Sequence, residues 1–221
     1  MRRLILTASA AAAVLVGSAM PAQAALIGTL GDGGGTVTSG DKVFSDFTCS
    51  FIGTNAVGTC DTVNVTAATD QFGNFGIDLQ LNASATTTGS TTATGDYRIT
   101  YNVSAPGAMI TDIHMTFNGS FTGAGQTEIT ETVSNGGSIV GQINVTNPPL
   151  NLESAANVIG GPYSTLSVLK DIQFGVPTGS AGSASISEIG QFISQVPEPA
   201  TMALFGLAAM GAAMRRRRAT R

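Results

Sequence analysis

The sequence is poor in the side chains that most binding and catalytic sites use. Its 221 residues contain no tryptophan, one histidine and two cysteines, and only 11% of them are charged. A zinc site needs three or four histidine, cysteine or carboxylate ligands held close together. With one histidine, two cysteines and carboxylates that are scattered singly, the sequence predicts no metal centre and no cofactor.

Basic side chains are also scarce between the two ends of the chain. Seven of the ten lie at the termini, which leaves Lys42, Arg98 and Lys170 against 14 acidic residues between Ala25 and Pro199, a net charge of −11. Binding to nucleic acid needs clustered lysine and arginine that neutralise phosphates. The composition therefore excludes a nucleic-acid partner and favours an acidic protein that stays soluble and apart from its neighbours.

The N-terminus has the three parts of a secretory signal peptide. Two arginines precede an apolar, alanine-rich run from Leu4 to Met20, and the small residues Ala22 and Ala24 follow it. Small residues at this spacing are what signal peptidase reads. We expect residues 1–24 to form a signal helix that signal peptidase removes between Ala24 and Ala25. An uncleaved anchor helix is the alternative.

The two cysteines, Cys49 and Cys60, both lie in the part of the chain that would be exported. An even number of cysteines in an exported chain favours a disulfide. A closed loop of this size stabilises a fold by about 3 kcal/mol in the chain-entropy model. Metal binding is the weaker hypothesis, because two thiols without a nearby histidine supply half a zinc site.

Apolar residues recur with a period of two through the middle of the chain, which predicts half-buried strands. In KVFSDFTCSF the pattern places Val43, Phe47, Cys49 and Phe51 on one face. Similar alternation occurs in NFGIDLQLN (74–82), DYRITYNVS (96–104), the stretch 109–117 and the stretch 166–174. Asn135-Gly136-Gly137 reads as a hairpin turn, because these residues tolerate positive φ. The prediction is one all-β domain, an antiparallel β-sandwich over residues 25–195.

Two segments depart from this pattern. The sequence NLESAANVIG (151–160) is the best candidate for a short helix. Ala83 to Gly95 is rich in threonine and low in complexity, which favours a solvated loop or an edge strand over an ordered threonine array.

The polar residues suggest no assembled catalytic site. His114 falls on the polar face of a predicted strand, beside Asp112 and Thr116. A Ser-His-Asp triad could use it, but the chain has no G-x-S-x-G nucleophile elbow. The carboxylates are scattered singly, so no acid–base pair is indicated. We expect a protein that is not an enzyme.

Three features follow one another near the end of the chain. Pro197-Glu198-Pro199 precedes an apolar stretch, Ala200 to Met214, and then come four arginines: Arg215, Arg216, Arg217 and Arg218. The apolar stretch would reach about 22 Å as a helix, against a hydrocarbon core of about 30 Å. The arginines would stop transfer and hold its end in the cytoplasm. We expect a single hydrophobic helix in residues 196–221 that anchors the protein transiently; a permanent single span is the alternative.

This order of features resembles the PEP-CTERM sorting signal of exported proteins from Gram-negative bacteria, many of which make exopolysaccharide and biofilm. The resemblance implies that an exosortase, a membrane protease, recognises Pro197-Glu198-Pro199 and cleaves nearby. A second similarity lies in Gly40 to Phe47, GDKVFSDF, since proteins bearing this signal often carry GDKxFSxF early in the exported part. The second similarity implies no activity.

The expected function is that of an exported cell-envelope or extracellular matrix protein. It would be anchored in the inner membrane, processed by an exosortase-like protease, and then placed on the cell surface or in the matrix, associated with exopolysaccharide or biofilm. The alternative is a carbohydrate-binding module that holds exopolysaccharide, although the absence of tryptophan counts against an aromatic sugar platform. A secreted hydrolase using His114 is a third, less favoured class.

Overall fold

Two antiparallel sheets pack face to face in the computed structural model, which describes residues 24–158 and 160–197. Sheet A comprises β1 (Ala24–Leu26), β4 (Ala56–Val57), β5 (Asn64–Thr69), β6 (Phe75–Thr88), β8 (Ala108–Gly123), β11 (Glu153–Asn157) and β13 (Ala181–Pro197). Sheet B comprises β2 (Val37–Ser39), β3 (Lys42–Thr54), β7 (Ala93–Ser104), β9 (Gln126–Asn135), β10 (Ser138–Asn147) and β12 (Thr165–Val176). Helix α1 (Ile27–Asp32) and a 3₁₀ turn (Cys60–Thr62) complete the described elements.

The strand order shows that consecutive strands often change sheet. Sheet A runs β1-β5-β6-β13-β8-β11, with β4 also paired to β6, and sheet B runs β10-β9-β12-β7-β3-β2. The sheets are antiparallel throughout the described residues. The predicted all-β sandwich is therefore confirmed. The last strand, β13, lies in the interior of sheet A between β6 and β8.

The core lies between the sheets and is built by the alternation seen in the sequence. Ile77 and Leu79 of β6 in sheet A and Tyr97 and Ile99 of β7 in sheet B are all buried in this core. Because strand side chains alternate between faces, each run contributes every second residue to one core. The predicted turn is also confirmed: Gly136 and Gly137 have positive φ and join β9 to β10.

A bulge in β3 corrects the predicted face of that strand. Asp46 has φ 55°, and the pairing of β3 with β7 shifts between Ser45 and Thr48. An extra residue in a strand reverses the alternation beyond it. Lys42 and Phe44 are therefore buried before the bulge and Phe47 after it, so the prediction that Val43 shares the face of Phe47 is wrong.

Two further local predictions are wrong because long-range pairing overrides the local pattern. The helical candidate contains the strand β11, which pairs with β8 at the edge of sheet A. The threonine-rich tract is mostly strand rather than a loop or an edge, because it spans the end of β6 and the start of β7, both interior strands. Its alanines Ala83, Ala85 and Ala93 are buried in the core.

The two ends of the chain were predicted to contain a signal helix and an apolar anchor helix. Residues 1–23 and 198–221, where these predictions fall, lie outside the described residues. None of the helices within residues 24–158 and 160–197 has the length and apolar character that a membrane crossing requires.

Candidate functional site

The C-terminal end of β13 leads straight into the predicted sorting residues. Gln195 pairs with Ile110, Val196 with Met109 and Pro197 with Ala108. The strand therefore extends two residues beyond the predicted domain boundary at Gln195. Pro197, the first residue of the predicted motif, belongs to a strand that is hydrogen-bonded into the sandwich, so no flexible linker separates the domain from it.

A ring of polar contacts fixes this end of β13 to the other sheet. The Lys42 ammonium, whose side chain is only 1% exposed, donates to Asp41 Oδ1 at 2.7 Å and also to Gln195 Oε1. Gln195 Nε2 in turn donates to Asp41 Oδ2. Asp41 lies in the β2–β3 turn and Lys42 is the first residue of β3 in sheet B, whereas Gln195 belongs to sheet A. The contacts thus join the two sheets two residues before Pro197.

The turn that carries these residues requires glycine at its start. Gly40 has φ +57°, and a Cβ there would lie 2.3 Å from the ring of Phe75. Desolvation raises the pKa of Asp41, but hydrogen bonds from Lys42 and Gln195 outweigh it and leave the pKa below its ordinary value. The GDK residues noted in the sequence, which had no assigned role, therefore hold the strand that enters the sorting motif.

His114 and its neighbours form a polar group on the outer face of sheet A, but they do not form a triad. His114 Nδ1 lies 3.8 Å from Asp70 Oδ2, and the histidine is 19% exposed. Asp70 accepts hydrogen bonds from the backbone N–H of Phe72 and of Asn74, each at 2.8 Å. The hydroxyl of Ser194 contacts Asn74 Oδ1 at 3.1 Å instead of the imidazole. These contacts close a turn and do not activate a serine.

A carboxylate pair that the sequence did not suggest lies on the same outer face. Asp78 of β6 and Glu188 of β13 are half-buried, and Gly190 lies opposite Asp78 in the register, where an added Cβ would come within 3.2 Å of Asp78 Oδ1. Burial, with a smaller contribution from the charge of Glu188, raises the pKa of Asp78 to about 6. The two carboxylates are 110 positions apart in the sequence, so no local pattern could reveal them.

The outer face of sheet B carries a groove of about 620 Å³ that crosses its strands. One row of paired residues runs along it: Ile52, Asp96, Gln173, Glu128 and Thr146. Desolvation and the neighbouring charge of Asp171 raise the pKa of Asp96. This row combines two carboxylates, an amide and a hydroxyl with one apolar side chain, Ile52, which is 77% exposed. The groove is also lined by the apolar residues Pro148, Pro149, Phe174, Val176 and Pro177. Among the described residues, no exposed aromatic ring lines this groove.

The predicted disulfide is confirmed. Cys49 of β3 is bonded to Cys60 of the 3₁₀ turn, with their Cα atoms 5.8 Å apart. Within residues 24–158 and 160–197, no group of three histidine, cysteine or acidic side chains is arranged to hold a metal ion.

Comparison with known protein families identifies the end of the chain. A family model for the PEP-CTERM protein-sorting motif matches residues 195–218. The chain carries a PEP-CTERM sorting motif. The motif implies an exported protein that is anchored transiently in the membrane and processed by an exosortase. The match begins inside β13, at Gln195, the residue that the GDK turn holds.

The remaining predicted site residues of this PEP-CTERM chain lie partly outside the described region. Glu198, Pro199, the four arginines and Ala22 are not described, and their roles stay predictions. Ala24 and Ala25 lie in β1, where they pair with Thr66 and Val65 of β5. Cleavage between them stays a prediction as well.

No curated protein sequence matches the chain. Solved structures with a similar fold include TmCBM61 in complex with beta-1,4-galactotriose, at 11% identity, covering 65% of this chain and 88% of that one, with a TM-score of 0.30. Another is TmCBM27, a carbohydrate-binding module studied for specific mannan recognition. The two sequences are 10% identical, and the match covers 67% of this chain and 88% of that one with a TM-score of 0.31. A third is the enzymatically active domain of bacteriophage CBA120 tailspike protein 4, which is 19% identical. That match covers 67% of this chain and 19% of the tailspike chain, with a TM-score of 0.30. Resemblance this distant identifies no ligand and no activity.

Proposed function

We propose that this chain is a non-enzymatic protein of the cell envelope or extracellular matrix. It is held in the inner membrane by its C-terminal apolar segment, cut there by an exosortase, and then placed at the cell surface or in the matrix with exopolysaccharide. The observation that carries the proposal is the sorting motif that continues directly from β13. In the described region the hydroxyl of Ser194 donates to Asn74 and not to His114, which supports a non-enzymatic role.

The same strand limits where the protease cuts. A protease binds its substrate as an extended segment whose backbone groups are free, yet Val196 and Pro197 are already paired with β8. Glu198 and Pro199 are the only residues between Pro197 and the apolar stretch, and two extended residues span about 7 Å at most. We therefore place the cut beyond Pro197, after Glu198 or Pro199, close to the membrane surface.

Mass spectrometry of the mature protein from the producing cells tests this proposal. The expected C-terminus lies just after Pro197, at Glu198 or Pro199. Glu198→Ala should leave uncut precursor in the inner membrane, whereas the control Glu153→Ala, an exposed acid on β11, should be processed normally. An intact Arg221 in the mature protein would show that the segment is a permanent anchor, and normal processing of Glu198→Ala would show that the motif is not what the protease reads.

A second candidate function is binding of exopolysaccharide by the groove of sheet B. Asp96, Glu128 and Gln173 present paired acceptors and donors of the kind that bind sugar hydroxyls, and the groove is long enough to cross five strands. A glycan array probed with the mature protein should then show binding that Glu128→Gln and Gln173→Ala both weaken. Asp61→Asn, an exposed acid away from the groove, is the matched control. Binding that none of the groove variants changes would exclude this site.

A further inference from the structure

A charged pair is buried in the core between the two sheets. Lys170 of β12 lies directly opposite Glu131 of β9 in sheet B, and Gln191 of β13 approaches Lys170 from sheet A. All three side chains are 0% exposed. The Lys170 ammonium contacts Glu131 Oε2, donates to Gln191 Oε1 at 2.6 Å, and lies 3.3 Å from Met115 Sδ.

This cluster is incompletely hydrogen-bonded, which makes it costly as a purely structural pair. Glu131 Oε1, Gln191 Nε2 and the hydroxyl of Tyr101 are buried without a hydrogen-bond partner in the described part of the chain. Buried polar atoms without partners destabilise a fold, and an apolar trio of similar volume would pack here without that cost. The retention of three buried polar side chains with unpartnered atoms therefore suggests that they have a chemical role.

The surroundings favour a reactive amine. Burial lowers the pKa of Lys170 even though the charge and hydrogen bond of Glu131 raise it. Loss of water drives a buried lysine toward its neutral form, in which its nitrogen is a nucleophile. Glu131 is in contact and can take the proton that the amine releases. The Gln191 carboxamide is held against the same nitrogen, so the two reactants are already in position.

We propose that Lys170 and Gln191 form an intramolecular isopeptide bond, with Glu131 carrying the proton. The lysine passes a proton to Glu131, and the Nζ lone pair attacks Cδ of Gln191 to form the new C–N bond. Glu131 then protonates the departing Nε2 as the Cδ–Nε2 bond breaks. Nζ, which still carries two protons after the attack, gives one of them up through Glu131 to the released ammonia, so that Nε2 leaves as an ammonium ion holding two protons that came from lysine. Nothing is oxidised or reduced, and Glu131 returns to a carboxylate that accepts a hydrogen bond from the new amide N–H.

The bond would account for the unpartnered Gln191 Nε2. Gln191 Nε2 is lost as the leaving group, and the new amide N–H faces Glu131. The link would also join β12 to β13, and so one sheet to the other, four residues before the GDK contact at Gln195. A covalent tie at this place would keep the last strand in the sandwich while the membrane segment next to it is pulled and cut.

The chain contains an internal control for this chemistry. Lys42 also contacts a carboxylate and a glutamine amide, those of Asp41 and Gln195. Asp41 is 38% exposed, however, so water solvates that pair and stabilises its charges. We expect no bond between Lys42 and Gln195. The mature protein should therefore lose one ammonia and not two.

Peptide mass spectrometry of the reduced mature protein tests the bond directly. Lys170 is the only lysine or arginine between Ile99 and Pro197, and trypsin does not cut after an acylated lysine. The expected product is one peptide from Ile99 to the mature C-terminus, lighter than its sequence by one ammonia. Separate peptides of full mass, split after Lys170, would overturn the proposal. A loss of one water would also overturn it, because that would place the bond between Lys170 and Glu131.

Variants assign the roles of the three side chains. Gln191→Glu should change the lost molecule from ammonia to water, and Gln191→Leu and Lys170→Met should abolish the loss. Glu131→Gln should keep the shape but prevent the reaction, whereas a cross-link that persists in it would overturn the role given to Glu131. Lys42→Met should leave the loss of one ammonia unchanged; loss of the cross-link there would contradict the assignment to Lys170.

Discussion

Asp78 offers a test of the electrostatics of sheet A, because a half-buried carboxylate beside a like charge should destabilise the fold when it is ionised. Burial and Glu188 raise its pKa from 3.8 to about 6. The protonated, neutral carboxyl group of Asp78 does not lower the free energy of unfolding, so the destabilisation is absent below about pH 4. The penalty grows as the carboxylate ionises and is complete once the pH exceeds the folded-state pKa of about 6.

The size of the effect follows from the pKa shift. Two pKa units correspond to about 3 kcal/mol for a group shielded from water. Asp78 is half-exposed, and solvent screening reduces this to about 1 kcal/mol. Asp78→Asn should therefore raise the free energy of unfolding by about 1 kcal/mol at pH 7 and leave it unchanged near pH 4.

Urea unfolding of the mature protein and of the variant at both pH values measures this difference. Asp61→Asn is the control, because it removes the same charge at an exposed position. Glu188→Gln should stabilise at pH 7 by less than Asp78→Asn, since desolvation is the larger cause of the shift. A variant Asp78→Asn that is no more stable than the wild type at pH 7, or equally stabilised at pH 4, would refute the reasoning.

Two further predictions concern the framework of the domain. Replacing Cys49 and Cys60 together by serine should lower the free energy of unfolding by about 3 kcal/mol, and a reductant should then no longer affect the unfolding midpoint. Gly40→Ala should destabilise by about 2 kcal/mol, because a Cβ with φ +57° would meet the ring of Phe75, as thermal unfolding would show. Gly28→Ala, where a Cβ meets nothing within 4 Å, is the control, and equal losses in the two alanine variants would contradict the steric argument.

Several features could be predicted because they depend on local patterns. Alternation and turn residues indicate strands wherever one face is buried, and two cysteines in an exported chain indicate a disulfide. The sorting motif is a linear signal, so Pro197, Glu198 and Pro199 can be recognised without a fold. The inward position of Lys170 could also have been found, since it lies between Val168 and Ile172 on the apolar face of its strand.

Other features depend on which strands become neighbours, and the sequence alone does not specify this. The bulge at Asp46 places Val43 and Phe47 on opposite faces of β3. Pairing with β8 makes residues 153–157 a strand, although the local sequence pattern favours a helix there. Lys170, Glu131 and Gln191 meet because β9, β12 and β13 pack in two facing sheets. The types and spacing of side chains within a few residues determine where strands and turns form and where linear sorting motifs lie. Sites formed by distant residues depend on strand order and register, which only the packing of the two sheets decides.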